Sequence, residues 1–222
     1  MNAAFHGFDA ASLPGEIAVF PLPGALLLPR GCLPLNVFEP RYLNMVDDVL
    51  GGDRLIGLVQ PIQGEADPVS DTAALYRIGC LGRIVSFEAT EDGRMVISLA
   101  GICRFNIGRE LDMARGYRRV AADYGPFRGD LEEDTGAADV PRLLDAVRAF
   151  FELKEIEADW RIFFEAPDDA LVTSLSMFCP LEGREKQALL ECPGLAERGE
   201  MLSALMEMAV HKDAGYAVAA LN

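Results

Sequence analysis

The amino-acid sequence predicts an α+β protein: a small, partly closed β-barrel with one embedded helix, followed by an α-helical bundle. Three observations carry this prediction. Between residues 16 and 124 the apolar side chains fall in short runs rich in Val, Ile, Leu and Phe, separated by Gly and Pro, as strands and their turns require. From Asp139 onward they recur at spacings of three and four, the period of an amphipathic helix. The charge balance changes in the same region: residues 1–128 carry 15 acidic and 12 basic side chains, whereas residues 129–222 carry 20 and 8. The chain is therefore expected to comprise a flexible N-terminal tail (1–15), a β-rich lobe (16–128) and an acidic helical lobe (129–222).

Residues 16–22 and 32–38 read as the first two strands. A helix follows at 40–50, where Pro40 suits the first turn, Tyr42, Leu43, Met45, Val46, Val49 and Leu50 supply an apolar face, and Gly51-Gly52 ends it. Residues 55–60 and 78–90 are the next strands, joined by an exposed connection at 61–74. Glu91, Asp92 and Gly93 then turn the chain into a strand at 94–100, because glycine accepts the positive φ of such loops. Strands at 102–109 and 118–124 bring the number to seven. So few strands, without strand–helix alternation, do not build a doubly wound sheet, and closure hides their edges. The acidic run at 126–136 is the exposed connection where the lobes part. Beyond it, Val140, Leu143, Leu144, Val147, Phe150 and Phe151 line one face of a helix started by Asp139 and Pro141. Three more helices are expected at 168–178, 183–192 and 195–211, with Cys179-Pro180 and Pro193-Gly194 as the breaks. Asp168 and Asp169 suit the positive end of the helix dipole.

Half of the 222 residues are hydrophobic, enough to bury a core without a disulfide or metal staple. A formal charge of −15 repels phosphate backbones and anionic membranes, so neither nucleic acid nor a membrane is expected as a partner. No apolar run approaches the roughly 20 residues of a membrane-spanning helix. The N-terminus also lacks the basic region of a secretory signal. Five dispersed cysteines, Cys32, Cys80, Cys103, Cys179 and Cys192, form no C-x-x-C pair. They read as small buried hydrophobes in a reducing compartment, the cytoplasm.

The chemistry-bearing residues are sparse. None of the three lysines, Lys154, Lys186 and Lys212, follows a glycine-rich phosphate cradle, and no dinucleotide fingerprint is present. His6 and His211 are too few for a His-based metal or nucleophile site. Ser203 with Lys212, or Ser174 with Lys186, has no spacing that fixes a dyad, and these read as helix-surface residues. Asp130, Glu132, Glu133 and Asp134 lack the alternating ligand pattern of a calcium loop and read as a solvated loop. Arg104, Arg109, Arg115, Arg118 and Arg119 form a basic set without interleaved aromatics, which reads as solvated surface rather than an RNA site. No catalytic, cofactor-binding or metal-ligating residue is predicted. The candidate binding residues are Phe38, Arg41 and Tyr42, which straddle the strand-to-helix junction, with Arg41 suited to a carboxylate partner and Tyr42 to a wedge between elements.

Several separated segments also occur in a familiar order: IAVFPLPGALLLPRGCLPLNVFEPRYLNMVDDVL at 17–50, residues 55–61, LYRIGCLGRIVSFEATEDGRMVISLAGICRFNI at 75–107, and EKQALLE at 185–191 followed by Arg198 and a Leu-rich helix. From Glu16 to about Val210 the chain resembles the Lon substrate-binding domain, the N-terminal domain of ATP-dependent Lon proteases, in a free-standing form without ATPase or protease domains. The resemblance implies a PUA-like pseudobarrel carrying one helix, then a helical bundle. It also implies a noncatalytic protein that recognises exposed segments of unfolded or partly unfolded proteins, as an adaptor in quality control alongside a protease or chaperone. No catalytic residue is carried over. The alternative implied by such a barrel is a sensor of a small molecule or modified nucleotide, which would need a deep pocket with converging polar groups rather than an apolar groove. An acidic second lobe favours basic clients over acidic ones.

Overall fold

Apolar alternation in the first half resolves into six strands: β1 (Glu16–Pro21), β2 (Cys32–Val37), β3 (Leu55–Val59), β4 (Ile78–Ala89), β5 (Met95–Ala114) and β6 (Tyr117–Asp123). Helix α1 (Pro40–Leu50) lies between β2 and β3, and a 3-10 segment (Gly125–Leu131) follows β6. The remaining helices are α2 (Val140–Leu153), α3 (Trp160–Glu165), α4 (Asp168–Phe178), α5 (Gly183–Glu191) and α6 (Leu195–Ala219). The structure, a computed structural model, describes residues 9–62, 69–132 and 136–219. Residues 1–8 of the expected tail, part of the 61–74 connection, and Glu133 and Asp134 of the acidic run lie outside the described residues.

The strands form one sheet in the order β2-β5-β4-β3-β1-β6, and β6 also pairs with β5, so β5-β4-β3-β1-β6 is a cycle of pairings. The β1–β3 pair is parallel and the others are antiparallel. Alternate residues from each strand point inward, as the pleat dictates. Ile17, Val19, Leu55, Val59, Leu81, Ile102, Phe105 and Val120 make a shared core.

Seven expected strands become six because 94–100 and 102–109 are one strand bent at Gly101. The Gly101 N–H donates to the Gly31 carbonyl (2.8 Å), and the Arg30 N–H donates to the Gly101 carbonyl (2.9 Å). A Cβ at Gly101 would sit 2.0 Å from the Leu28 carbonyl oxygen. The glycine therefore admits a second backbone against the strand rather than ending it. β5 also runs past Arg109 to a two-residue turn, Arg115-Gly116, with φ of 46° and 90°, the double positive φ that matches the twist of a hairpin. In its outer part Leu111 and Met113 alternate with Glu110 and Asp112, a short period-2 signal that the sequence reading left out.

This turn anchors α1. Arg115 donates to Asp47 (3.0 Å), Asp48 and Asn44 (2.9 Å), while the Tyr117 hydroxyl donates to Asp48 (2.9 Å). Tyr42, Met45 and Val46 form the buried face of the helix.

Two compact units emerge: Met1–Glu133 with Met177–Leu190, and Asp134–Ser176 with Glu191–Asn222. This division differs from a single break at residue 128, because most of α5 belongs to the sheet unit. The reason is polar. Lys186 Nζ donates to the carbonyls of Gly24 (2.8 Å) and Met177 (3.1 Å), Gln187 Nε2 donates to that of Ile78 (3.1 Å), and Gln60 Nε2 donates to that of Gly183 (3.1 Å). Buried carbonyls need such donors.

In the second unit α2 packs on α6, and Leu143, Val147, Phe150, Leu202 and Met206 are buried. Arg142 grips Glu207 with two bonds (2.9 and 2.8 Å) between these helices. Helix α3, six residues long, is too short to show a period and was not expected. Its Trp160 and Phe163 pack on each other and on Phe151, with ring centroids 5.3–6.0 Å apart.

Candidate functional site

The three candidate residues at the end of β2 are placed in different environments. Phe38 is 59% exposed. Arg41, three residues on, is occupied: it pairs with Glu39 (2.8 Å) and Asp71 and donates to the Val69 carbonyl (2.6 Å). Tyr42 is buried under the Arg41 guanidinium, 4.6 Å from its ring, and packs against Phe20 with centroids 4.3 Å apart. Burial pushes its phenol up to about 12. Arg41 and Tyr42 thus fix where α1 and residues 69–73 sit, while Phe38 projects from them. The crevice beside them, lined by Arg41, Tyr42, Asp71 and Arg118, is too narrow to admit a water molecule.

The region around Phe38 is an extension of the sheet beyond the cycle of pairings. There β5 is flanked by β2, through Asn36 with Val96 and Val37 with Met95, and by β4, through Glu88 with Val96 and Phe87 with Ile97. Phe87 is 50% exposed, and Val85 and Val96 are exposed as well. By strand alternation Phe87 and Val96 face opposite sides, so both faces of this three-stranded end carry apolar side chains. The outer edge of β2 pairs with no strand among the described residues, and it contains Pro34, which only an edge strand tolerates. Sequence reading missed Val85, Phe87 and Val96, since an apolar residue in a strand reads as core. The surrounding polar run, with Arg83, Ser86, Glu88 and Thr90, was the available signal that the strand end is solvated.

Several residues read as solvated surface are internal. Arg104 and Asp130 are a buried pair, their side chains 5% and 8% exposed, joined at 2.9 and 2.7 Å, and Asp130 also accepts the Arg104 N–H at 2.8 Å. Arg104 donates as well to the Leu190 carbonyl (3.1 Å), which fixes the 3-10 segment and the end of α5 to β5. Arg118 is also buried, pairing with Glu110 and donating to the Ala73 carbonyl at 2.7 Å. Neither arginine is available to a phosphate backbone. Lys186 is buried too, and burial lowers its pKa. The Ser203 hydroxyl is buried and donates to Gly199 O at 2.9 Å. Four of the cysteines are buried, and burial raises Cys103 and Cys179 to about 12, whereas Cys32 is exposed. Among the described residues no His, Cys, Asp and Glu group has the arrangement of a metal site, and no helix is long and apolar enough to cross a membrane.

Comparison with known proteins gives a consistent picture. Residues 16–208 match the family model of the ATP-dependent protease La (LON) substrate-binding domain. Lon protease of Flavobacterium johnsoniae is 27% identical over 198 residues, covering 84% of this chain and 23% of that protein. Lon protease of Azorhizobium caulinodans is 26% identical over 193 residues, covering 85% of this chain and 22% of that protein. The chain thus spans about a quarter of the length of the relatives it matches. Among solved structures, a Lon N-terminal domain protein from Xanthomonas campestris superposes with a TM-score of 0.58 at 23% identity, covering 85% of this chain and 97% of that one. The N-terminal domain of the Mycobacterium avium complex Lon protease gives 0.60 at 14% identity, covering 86% and 98%.

Proposed function

Because the chain belongs to the Lon substrate-binding domain family, we propose that it binds exposed apolar segments of unfolded or partly unfolded proteins at the three-stranded end of its sheet. The observation that carries this reading is the exposure of Phe38, Phe87 and Val96 around an open strand edge. Solvated aromatic side chains on a projecting sheet end lose water on contact with an apolar segment, and the free edge of β2 offers backbone groups to an extended one. Arg41 and Tyr42 act behind this surface by holding α1 in place. The cycle of strand pairings supports a PUA-like pseudobarrel, and α2 with α6 supports a helical bundle for the second unit. In this reading the protein is a noncatalytic adaptor in cytoplasmic quality control, presenting clients to a protease or chaperone. Nucleic acid is disfavoured by the charge of −15 and by the burial of Arg104 and Arg118 in carboxylate pairs.

The test is binding of a carboxymethylated, permanently unfolded protein, followed by fluorescence anisotropy. Truncating an aromatic anchor typically loses 2 kcal/mol or more, so Phe38→Ser with Phe87→Ser is expected to weaken binding at least roughly tenfold while the exposed positions leave the melting temperature unchanged. Wild-type protein that retains no unfolded client, or a double variant that binds as well as wild type, would refute the reading.

A further inference from the structure

The second unit contains a cleft of about 490 Å³ where α2 hands over to α3. Its floor is apolar, made by Phe151, Ile156 and Trp160, and three carboxylates, Glu152, Glu155 and Glu157, stand around it. The end of α2 builds this arrangement. Ile156 N–H donates to the Phe151 carbonyl (2.9 Å) and Glu155 N–H to that of Glu152 (3.3 Å), a helix stop whose inner donor sits in left-handed backbone. Glycine usually fills that position, but here it is Glu155, with φ of 54°. The stop turns Ile156 back over Phe151 and brings the Trp160 ring to 6.0 Å from that of Phe151.

The cleft wall shows what its aromatic face accepts. The Arg148 guanidinium lies over the Trp160 ring, 5.2 Å from the centroid, and its carboxylate contact, with Asp145, is a long one at 3.7 Å on the exposed surface. Cations are drawn to an indole face, and three nearby carboxylates reinforce that preference. On α3, Phe164 is exposed one turn along from Trp160, and Ile162 is exposed on a different side of the helix.

We propose that this cleft seats an arginine or lysine side chain of a bound protein segment. The aliphatic stem lies on Phe151 and Ile156, and the cation lies among Glu152, Glu155 and Glu157. Long basic side chains bury their stems and keep their charge at a polar rim in this manner. Phe164, one turn along α3 from Trp160, gives an apolar neighbour of that side chain a surface, which a free amine would leave unused. The inference rests on the protein-binding reading and adds its client class: basic segments with apolar flanks, in keeping with the 20 acidic against 8 basic residues of positions 129–222.

Trp160 is the one tryptophan of the chain, so its emission reports on the cleft directly. The probes are a short blocked peptide of arginine, leucine and alanine, its glutamate counterpart, and argininamide. The arginine peptide is expected to change Trp160 emission saturably and to bind at least roughly tenfold more tightly than the other two. The exposed triple variant Glu152→Gln, Glu155→Gln, Glu157→Gln should weaken it roughly tenfold, as should raising salt from about 0.05 to 0.5 M. Arg148→Ala should tighten it a few-fold by freeing the Trp160 face. Circular dichroism confirms that the variants are folded. A silent Trp160, equal binding of the glutamate peptide or argininamide, or indifference to the triple variant overturns the inference. If unfolded clients still bind in that case, the protein-binding reading survives alone. If the arginine peptide binds the cleft while unfolded proteins are not retained, the inference stands and the broader reading fails.

Discussion

Replacing Asp130 with alanine should be the most damaging single change on the polar interior of the first unit. It removes two carboxylate bonds to the Arg104 guanidinium, at 2.9 and 2.7 Å, and a third to the Arg104 N–H, at 2.8 Å. The cation left behind has 5% of its side chain in solvent. Breaking a buried pair from one side loses about 3–5 kcal/mol, because the remaining ion keeps its desolvation penalty without its attraction. Arg104 still donates to the Leu190 carbonyl and still lies 5.0 Å from the Phe127 ring centroid, which sets the expectation near the lower end, about 3 kcal/mol. Asp130→Asn keeps one acceptor oxygen and the volume, so it should lose about 1–2 kcal/mol. Replacing both partners, Arg104→Met with Asp130→Leu, removes both ionic desolvation penalties but takes these partners from the backbone N–H of position 104 and from the Leu190 carbonyl, so it should recover part of the loss and end about 1–2 kcal/mol below wild type. Urea unfolding followed by circular dichroism measures all three at unchanged slope. A loss below about 1 kcal/mol for the alanine variant, or a double variant as unstable as the single one, would show that the pair does not behave as a desolvated ion pair.

Two further outcomes follow from geometry described above. Gly101→Ala should destabilise by about 3 kcal/mol or more, because the added Cβ would meet the Leu28 backbone at 2.0 Å and only main-chain movement relieves that, and thermal unfolding would read it as a markedly lower midpoint. Asp48 is held below the usual carboxylate range first by its hydrogen bond from Arg115 and then by that from Tyr117. Its folded value is therefore depressed, so its contribution is complete above the unfolded value of about 3.9 and is lost as pH falls through the folded one. Asp48→Asn should flatten that part of the acid limb of stability against pH, and an unchanged limb would remove Asp48 from the account.

The elements that were legible share one property: their signal is local. Helix α1 is bounded as expected because Pro40 and Gly51-Gly52 sit at its ends and its apolar face repeats at helical spacing. Gly101 misled for a physical reason, since glycine marks a turn and a close backbone approach with the same letter. Arg104 and Asp130 were illegible because their meaning lies in a pairing 26 positions apart along the chain, made only when the 3-10 segment folds over β5. Phe38 was picked out by its place at a strand-to-helix junction. Its neighbours Phe87 and Val96 look in sequence like any core residue of a strand. Exposure is a property of what fails to cover a side chain, and no local pattern records that.

The placement of α5 bears on the order in which the protein can be completed during synthesis. Residues are added from the N-terminus, at roughly 5–20 per second in cells. The carbonyls of Gly24 and Ile78 are made long before Lys186 and Gln187, the donors that satisfy them. For roughly 2–9 seconds, the strands are therefore present with these carbonyls unanswered, while the chain between positions 134 and 176 emerges. A nascent chain halted in that interval would expose the seam that α5 later closes, with the Gly24 and Ile78 carbonyls still waiting for their donors.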